Sequence, residues 1–278
     1  MLDGQPSRTA LSTAAARAAH LVVDHEPHIL RDTVAAALLG DRAEELLGYH
    51  RAHGDHLILA GTRALVTTRS AYTEQRLAER SPDQYVILGA GLDTFAHRHS
   101  GPHVFEVDHP ATQKWKRTLL SQAGIPTPEH LTYVPVNLES GALLEQLTAA
   151  GFDLHRSTLV SWLGVTMYLT HEAISATLAE LGRLSPGSEL VMEYALPPEL
   201  RDPTGSNYAA IAAQVVRESD EPYRTFLSPD DVTTLLTPHG LDVLAHVRMH
   251  DAVPPSTWNR TDALRPFDWS HLAHATIP

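Results

Sequence analysis

From Tyr85 onward, short apolar runs alternate with stretches whose apolar residues recur every three or four positions. That alternation is the pattern of a parallel sheet wrapped by helices. Five runs read as strands: Tyr85–Leu88, His103–Val107, Leu131–Val136, Thr158–Leu163 and Glu189–Met192, bounded by Gly, Pro, Asp or Asn. Crossover helices are predicted at Pro110–Gln122, Gly141–Ala150 and Thr170–Leu184. Further on, Ser228-Pro229-Asp230-Asp231 combines a capping hydroxyl, a proline at the first helical position and acids in the first turn, so a helix starts there. Gly240 ends it, Leu241–Val247 reads as a strand, and the residues after Asp262 supply one more, an antiparallel pair at the sheet edge.

Ahead of this pattern, Leu11 to about Arg80 is rich in Ala, Leu and Arg, with helical spacing in Thr33–Leu39 and Leu57–Leu77. Gly40, Gly54 and Gly61 read as helix ends or a bend. No repeat, low-complexity linker or boundary marker interrupts the chain. The expectation is one α/β domain over 1–278: a mostly parallel, seven-stranded sheet with helices on both faces (81–278), behind a helical preface and lid (1–80).

Composition narrows the partners. The chain has 278 residues, 43% of them hydrophobic, enough for one substantial core, and a net charge of -12, which argues against a broad electrostatic grip on nucleic acid or anionic lipid. It has no cysteine, so disulfides, thiolate zinc sites and a cysteine nucleophile are excluded, and a reducing compartment, the cytoplasm, is expected. The opening Met1-Leu2-Asp3-Gly4-Gln5-Pro6-Ser7-Arg8 lacks the charge-then-apolar form of an export signal. Apolar stretches such as Thr158–Val165 fall far short of the roughly 20 residues of a spanning helix, so a soluble protein is expected.

The chemistry concentrates at the first strand, where Val86-Ile87-Leu88 runs into Gly89-Ala90-Gly91-Leu92-Asp93-Thr94. Glycine accepts positive φ and carries no side chain, so backbone can approach a ligand at the carboxyl end of the strand, where open α/β sheets bind ligands. A dinucleotide fingerprint would want a third glycine where Thr94 stands, which favours a nucleotide without a diphosphate over a nicotinamide cofactor. The second strand ends in Phe105-Glu106-Val107-Asp108, and an acid at a strand tip suits ribose hydroxyls. Of the two acids, alternation and the terminal position point Asp108 toward the crevice. The plainer reading is a tight turn followed by a surface acid.

These segments resemble the leucine carboxyl methyltransferase family, in its bacterial branch of small-molecule O-methyltransferases of secondary metabolism. The matching blocks are Leu88 to Thr94 with Arg98, Glu106-Val107-Asp108-His109-Pro110 with Lys114-Trp115-Lys116, and Gly164-Val165-Thr166-Met167-Tyr168-Leu169-Thr170. Weaker matches are Ala16-Arg17-Ala18, Thr68-Arg69-Ser70, Glu193-Tyr194, Glu221-Pro222-Tyr223-Arg224 and Arg260 to Pro266. The resemblance implies a class I methyltransferase fold, S-adenosyl-L-methionine as methyl donor, and a small-molecule acceptor methylated on an oxygen, often of a carboxylate. It implies that Arg69 holds the donor's carboxylate, that Gly89, Ala90 and Gly91 pass beneath its methionine part, that Asp108 holds the ribose, and that Asn137 and Leu138 flank the adenine. Similar proteins usually carry an acid where this chain has Asn137 and a glutamate where it has Leu163. The first change is mild, because an amide oxygen still accepts a hydrogen bond. Leu163 cannot meet the donor's ammonium group, so that group is met by backbone carbonyls, water or a nearby acid, with Asp93 the candidate, or donor binding is weak, or the chain is a donor-binding enzyme with non-methylating chemistry, such as a cyclase or lyase.

On the acceptor side, Tyr168 and Tyr194 are the substrate-facing candidates, with the wall and lid drawn from the preface and from residues 194–224. A carboxylate acceptor is already ionised and needs no general base. A phenol or alcohol would be helped by one, with His109 and His171 the nearest candidates. Asp24-His25-Glu26-Pro27-His28 and His97-Arg98-His99 have no HExxH spacing and read as surface histidines, not a metal site. Trp115 and Trp162 read as packing.

Overall fold

The structure is a computed structural model and describes residues 7–139, 142–218 and 222–278. Met1–Pro6, on which part of the export-signal reading rested, lie outside the described residues, as do Gly141 and Glu221.

The preface is helical: α1 (Arg8–Val23), a 3-10 segment (Ala35–Arg42), α2 (Ala43–His53) and the 24-residue α3 (Leu57–Arg80). Ser7 starts α1 by accepting the Ala10 amide on its hydroxyl at 3.2 Å. The buried alanines 14, 15, 16, 18 and 19 let α1 approach its neighbours closely. Where α1 ends, buried Asp24 takes both the Arg63 guanidinium of α3 (2.8 and 2.9 Å) and the His20 ring (2.8 Å), an ion-paired knot rather than a surface cluster. Gly40 kinks the chain at φ +54°, and Gly54 ends α2. Gly61 differs from expectation: it lies inside α3, where a Cβ would sit 2.9 Å from Tyr208 and 3.1 Å from Phe267. Its role is close packing, not a bend.

The sheet is seven-stranded, in the order β3-β2-β1-β4-β5-β7-β6. Its strands are β1 (Gln84–Leu88), β2 (His103–Asp108), β3 (Leu131–Pro135), β4 (Thr158–Trp162), β5 (Glu189–Ala195), β6 (Asp242–Arg248) and β7 (Ser270–Thr276). The first five pair in parallel, and β7 runs antiparallel to both β5 and β6. Every residue of β1, β4 and β5 is buried, as both-face coverage by helices requires. The crossovers are α4 (Phe95–Arg98), α5 (Pro110–Gln122), α6 (Leu143–Ala149), α7 (His171–Leu181), α8 (Pro203–Glu218) and α9 (Pro229–Leu236). The short α4 and the 16-residue α8 carry no prediction from the apolar pattern. The predicted capping box opens α9: Ser228 accepts the Asp231 amide at 3.1 Å, and Asp231 accepts the Ser228 amide at 2.9 Å.

Trp162 is fully buried in the main core and Trp115 packs against the preface. Among the described residues no helix is long and apolar enough to cross a membrane. The histidine clusters are not uniformly surface features, since the His97 ring is half-buried with neither nitrogen hydrogen-bonded, and burial lowers its pKa to about 4.

Candidate active site

A cavity of about 470 Å³ opens at the carboxyl ends of β1 to β4, in the size range of small-molecule sites. Its floor is the turn after β1. Gly89 (φ +67°) and Ala90 donate their amides to Val107 O at 2.8 and 3.1 Å, which hooks the turn onto β2. A Cβ on Gly89 would stand 2.3 Å from Val165 Cγ2, and one on Gly91 (φ +51°) 3.1 Å from Ala10 of α1. Glycine is therefore required here by backbone sign and by crowding together.

Asp108 closes the floor from β2. One carboxylate oxygen accepts the Gly91 amide at 2.5 Å and the other the His109 amide at 2.6 Å. Burial pushes its carboxyl above the ordinary range, and these two amides pull it part-way back. Alternation does not separate Asp108 from Glu106, since residues two apart share a face; depth along the strand does. Glu106 lies deeper, receives Lys116 Nζ of α5 at 2.5 Å, and does not line the cavity. Burial raises its pKa to about 7. His109 opens α5, its ring nitrogen accepting the Ala111 amide at 3.3 Å, and also lines the cavity.

Arg69, Gly89, Ala90, Gly91, Asp93, Asp108, Asn137, Leu138, Leu163 and Tyr168 all line this one cavity. Asp93 accepts the Phe95 amide at 2.7 Å, Asn137 Oδ1 accepts the Glu139 amide at 3.1 Å, and Leu163 packs into the core around Met167 and Trp269. Arg69 donates to Glu193 Oε2 at 2.5 Å, while Glu193 Oε1 accepts the Ser270 hydroxyl at 2.7 Å. Gly164 (φ +69°) presses against the same guanidinium: a Cβ there would sit 2.8 Å from both terminal nitrogens of Arg69.

Two expectations need correction. Tyr194 does not line the cavity. On β5 the neighbouring Glu193 points to the face that carries Arg69, so Tyr194 is turned to the other face, where it is fully buried and its hydroxyl meets His246 Nδ1 at 2.9 Å. His171 is the exposed first residue of α7 and also lies off the cavity.

Sequence reasoning did not name Arg17, Tyr208, Tyr223 or Trp269 singly as cavity residues, although the first three fall in the preface and in residues 194–224 from which wall and lid were expected; Trp269 lies outside both. Arg17 donates to Leu92 O at 2.6 Å and to Asp32 at 2.8 Å, tying α1 to the glycine turn. Its signal was available: a single arginine inside a buried alanine stripe needs a fixed partner. The three aromatics come from separate elements and gave no local signal.

The model of the leucine carboxyl methyltransferase family matches residues 10–182. The chain is 30% identical, over 99% of each sequence, to YktD of Bacillus subtilis (strain 168), named as a proposed S-adenosyl-L-methionine-dependent methyltransferase. Among solved structures it resembles a DUF574 family protein of Streptomyces avermitilis (TM-score 0.61, 15% identity, 100% of both chains). It also resembles a proposed methyltransferase of Thermobifida fusca (TM-score 0.60, 16% identity, 99% of this chain and 96% of that one). At such identities these two likenesses speak for the fold alone.

Proposed function

Since the chain belongs to the leucine carboxyl methyltransferase family and is an S-adenosyl-L-methionine-dependent methyltransferase, we propose that it methylates an oxygen of a small molecule, most favourably a carboxylate. The observation that carries this reading is the convergence of the glycine turn, Asp108 and Arg69 on one cavity. The site fits the donor in kind: crowded positive-φ glycines let backbone serve as a wall, a buried carboxylate is present for hydroxyls, and a guanidinium for a carboxylate. When bound, S-adenosyl-L-methionine supplies an activated sulfonium methyl group.

The chain's own residues then have distinct tasks. Asp108, already fixed by two amides, accepts from ribose hydroxyls with its remaining lone-pair capacity. Arg69, braced by Glu193, holds the donor's carboxylate, while Asn137 and Leu138 border the adenine. Asp93 is the acid that meets the ammonium group in place of the glutamate absent at 163. Tyr168 borders the acceptor. No residue is assigned as a general base: an ionised carboxylate needs only positioning and exclusion of water. Residues 1–80 act as preface and lid to a single donor-binding domain.

The test has two stages. Calorimetry with S-adenosylhomocysteine should show binding, and no heat at millimolar ligand would end the donor assignments. Incubation with methyl-tritiated donor and a small-molecule extract should then give label that alkali releases as methanol, the mark of a methyl ester. Alkali-stable label would place the methyl group on another atom.

A further inference from the structure

Beyond the donor residues, the cavity continues toward β5 and β7 and changes character. Four of its lining residues there are aromatic and come from four places: Tyr168 after β4, Tyr208 on α8, Tyr223 before α9, and Trp269 before β7. They form one unbroken series, with centroids 5.3 Å apart from Tyr168 to Tyr223, 5.5 Å from Tyr223 to Trp269 and 5.7 Å from Trp269 to Tyr208. Successive planes are tilted by 38°, 53° and 67°, so the rings form a curved wall in which Tyr208 and Trp269 are buried and Tyr168 and Tyr223 half-buried. The tyrosine hydroxyls are spent within the protein, Tyr208 on Thr62 Oγ1 at 3.0 Å and Tyr223 with Tyr168, whereas the buried Trp269 Nε1 has no hydrogen-bond partner among the described residues. Burial also pushes the Tyr223 phenol far above its ordinary value, which leaves its ring, not its proton, as the useful feature. Of the lining acids, Asp93 and Asp108 lie at the glycine-turn end, whereas Glu139 accepts the Thr170 amide at 3.2 Å and lies 4.0 Å from Arg224, and the neighbouring Glu193 is engaged by Arg69 and Ser270.

We infer that the acceptor is a planar aromatic compound whose ring system lies against Tyr168, Tyr223 and Trp269, with Tyr223 as a residue that sets this specificity. An aliphatic acceptor would be served as well by leucine or valine, whereas aromatic walls add edge-to-face and offset contacts that only another ring can use. Tyr223 is the member placed to discriminate: it touches two other rings of the series, and its chain segment is anchored where the Arg224 amide donates to Met167 O at 2.7 Å. The inference rests on the methyl-transfer reading of the same cavity.

The experiment is calorimetry on the full chain saturated with S-adenosylhomocysteine, comparing 2-naphthoate with decalin-2-carboxylate, which has the same carbon skeleton without the aromatic rings. Naphthoate should bind roughly tenfold tighter, the range expected from one or two ring contacts. Tyr223→Leu should erase most of that preference, and Tyr223→Phe should keep it. Equal affinities for the two acids, no binding of naphthoate, or a preference that survives in Tyr223→Leu would each overturn the inference. Should S-adenosylhomocysteine itself fail to bind, the donor assignments fall first. If it binds and the aromatic preference is absent, only this inference falls.

Discussion

At the β1 to β3 end of the cavity, the surfaces meant for a ligand are a tight glycine turn whose amides are tied to β2 and a strand-tip carboxylate, whereas at the β4 to β7 end four side chains from separate elements converge. The first end is written in contiguous sequence, because a positive-φ glycine turn and a strand-tip acid are local requirements. The second end exists only once α8 and the segment before α9 have packed over the sheet. A donor shared by many enzymes suits the first kind of construction, and an acceptor particular to one enzyme suits the second.

The change that should break the donor end most severely is Asp108→Ala. It removes a carboxylate that accepts two amides, so affinity for S-adenosylhomocysteine should fall by about 1.5 to 3 kcal/mol, and the melting temperature should also drop because the Gly91 and His109 amides lose their acceptor. Unchanged affinity in calorimetry would remove Asp108 from the ribose role. Arg69→Lys should have a smaller effect, about 1 kcal/mol in donor affinity, because the charge remains while the planar fork that reaches Glu193 and a second carboxylate is lost. A lysine variant that binds the donor as well as the parent would show that Arg69 serves Glu193 alone.

The smallest effect sharpens the boundary between the two ends. Leu163 lines the cavity and packs with the core around Met167 and Trp269. Leu163→Glu should tighten donor binding by at most about 1 kcal/mol, through a charge-assisted bond to the ammonium group. It should also lower the melting temperature, since a half-buried carboxylate in the donor-free protein lacks a partner. Calorimetry and thermal denaturation on the same sample decide it: weaker binding in a folded variant would assign position 163 to the acceptor side.

How far the sequence could be read follows the same division. Strands and crossovers from Gln84 to Ala195 were legible because both-face burial leaves uninterrupted apolar runs and each turn carries Gly, Asp or Asn. Helix α8 was not, since Pro203-Thr204-Gly205-Ser206-Asn207 opens it with residues that usually mark loops. Asp108 was found at the right place for a partly wrong reason: strand position, not alternation, distinguishes it from Glu106. Tyr194 was misplaced because the motif Glu193-Tyr194 hides which of two neighbours faces Arg69, and in a strand only one can. Arg17 carried a sequence signal; of the aromatic wall, Tyr168 and the segment holding Tyr208 and Tyr223 were expected on the acceptor side, but nothing local brought Trp269 to them.

The close fit between Gly164 and Arg69 also couples these two positions over evolutionary time. A side chain at 164 would meet both terminal guanidinium nitrogens at 2.8 Å, so it would have to shift the head of the arginine, the movable end of a long side chain, away from where it meets Glu193. Were Arg69 shortened first, the collision would be relieved and only the positive φ would remain as a cost, one that asparagine tolerates better than most residues. The two positions are thus coupled in both directions. A residue gained at 164 would be felt first as a change in how Arg69 meets its carboxylate partner.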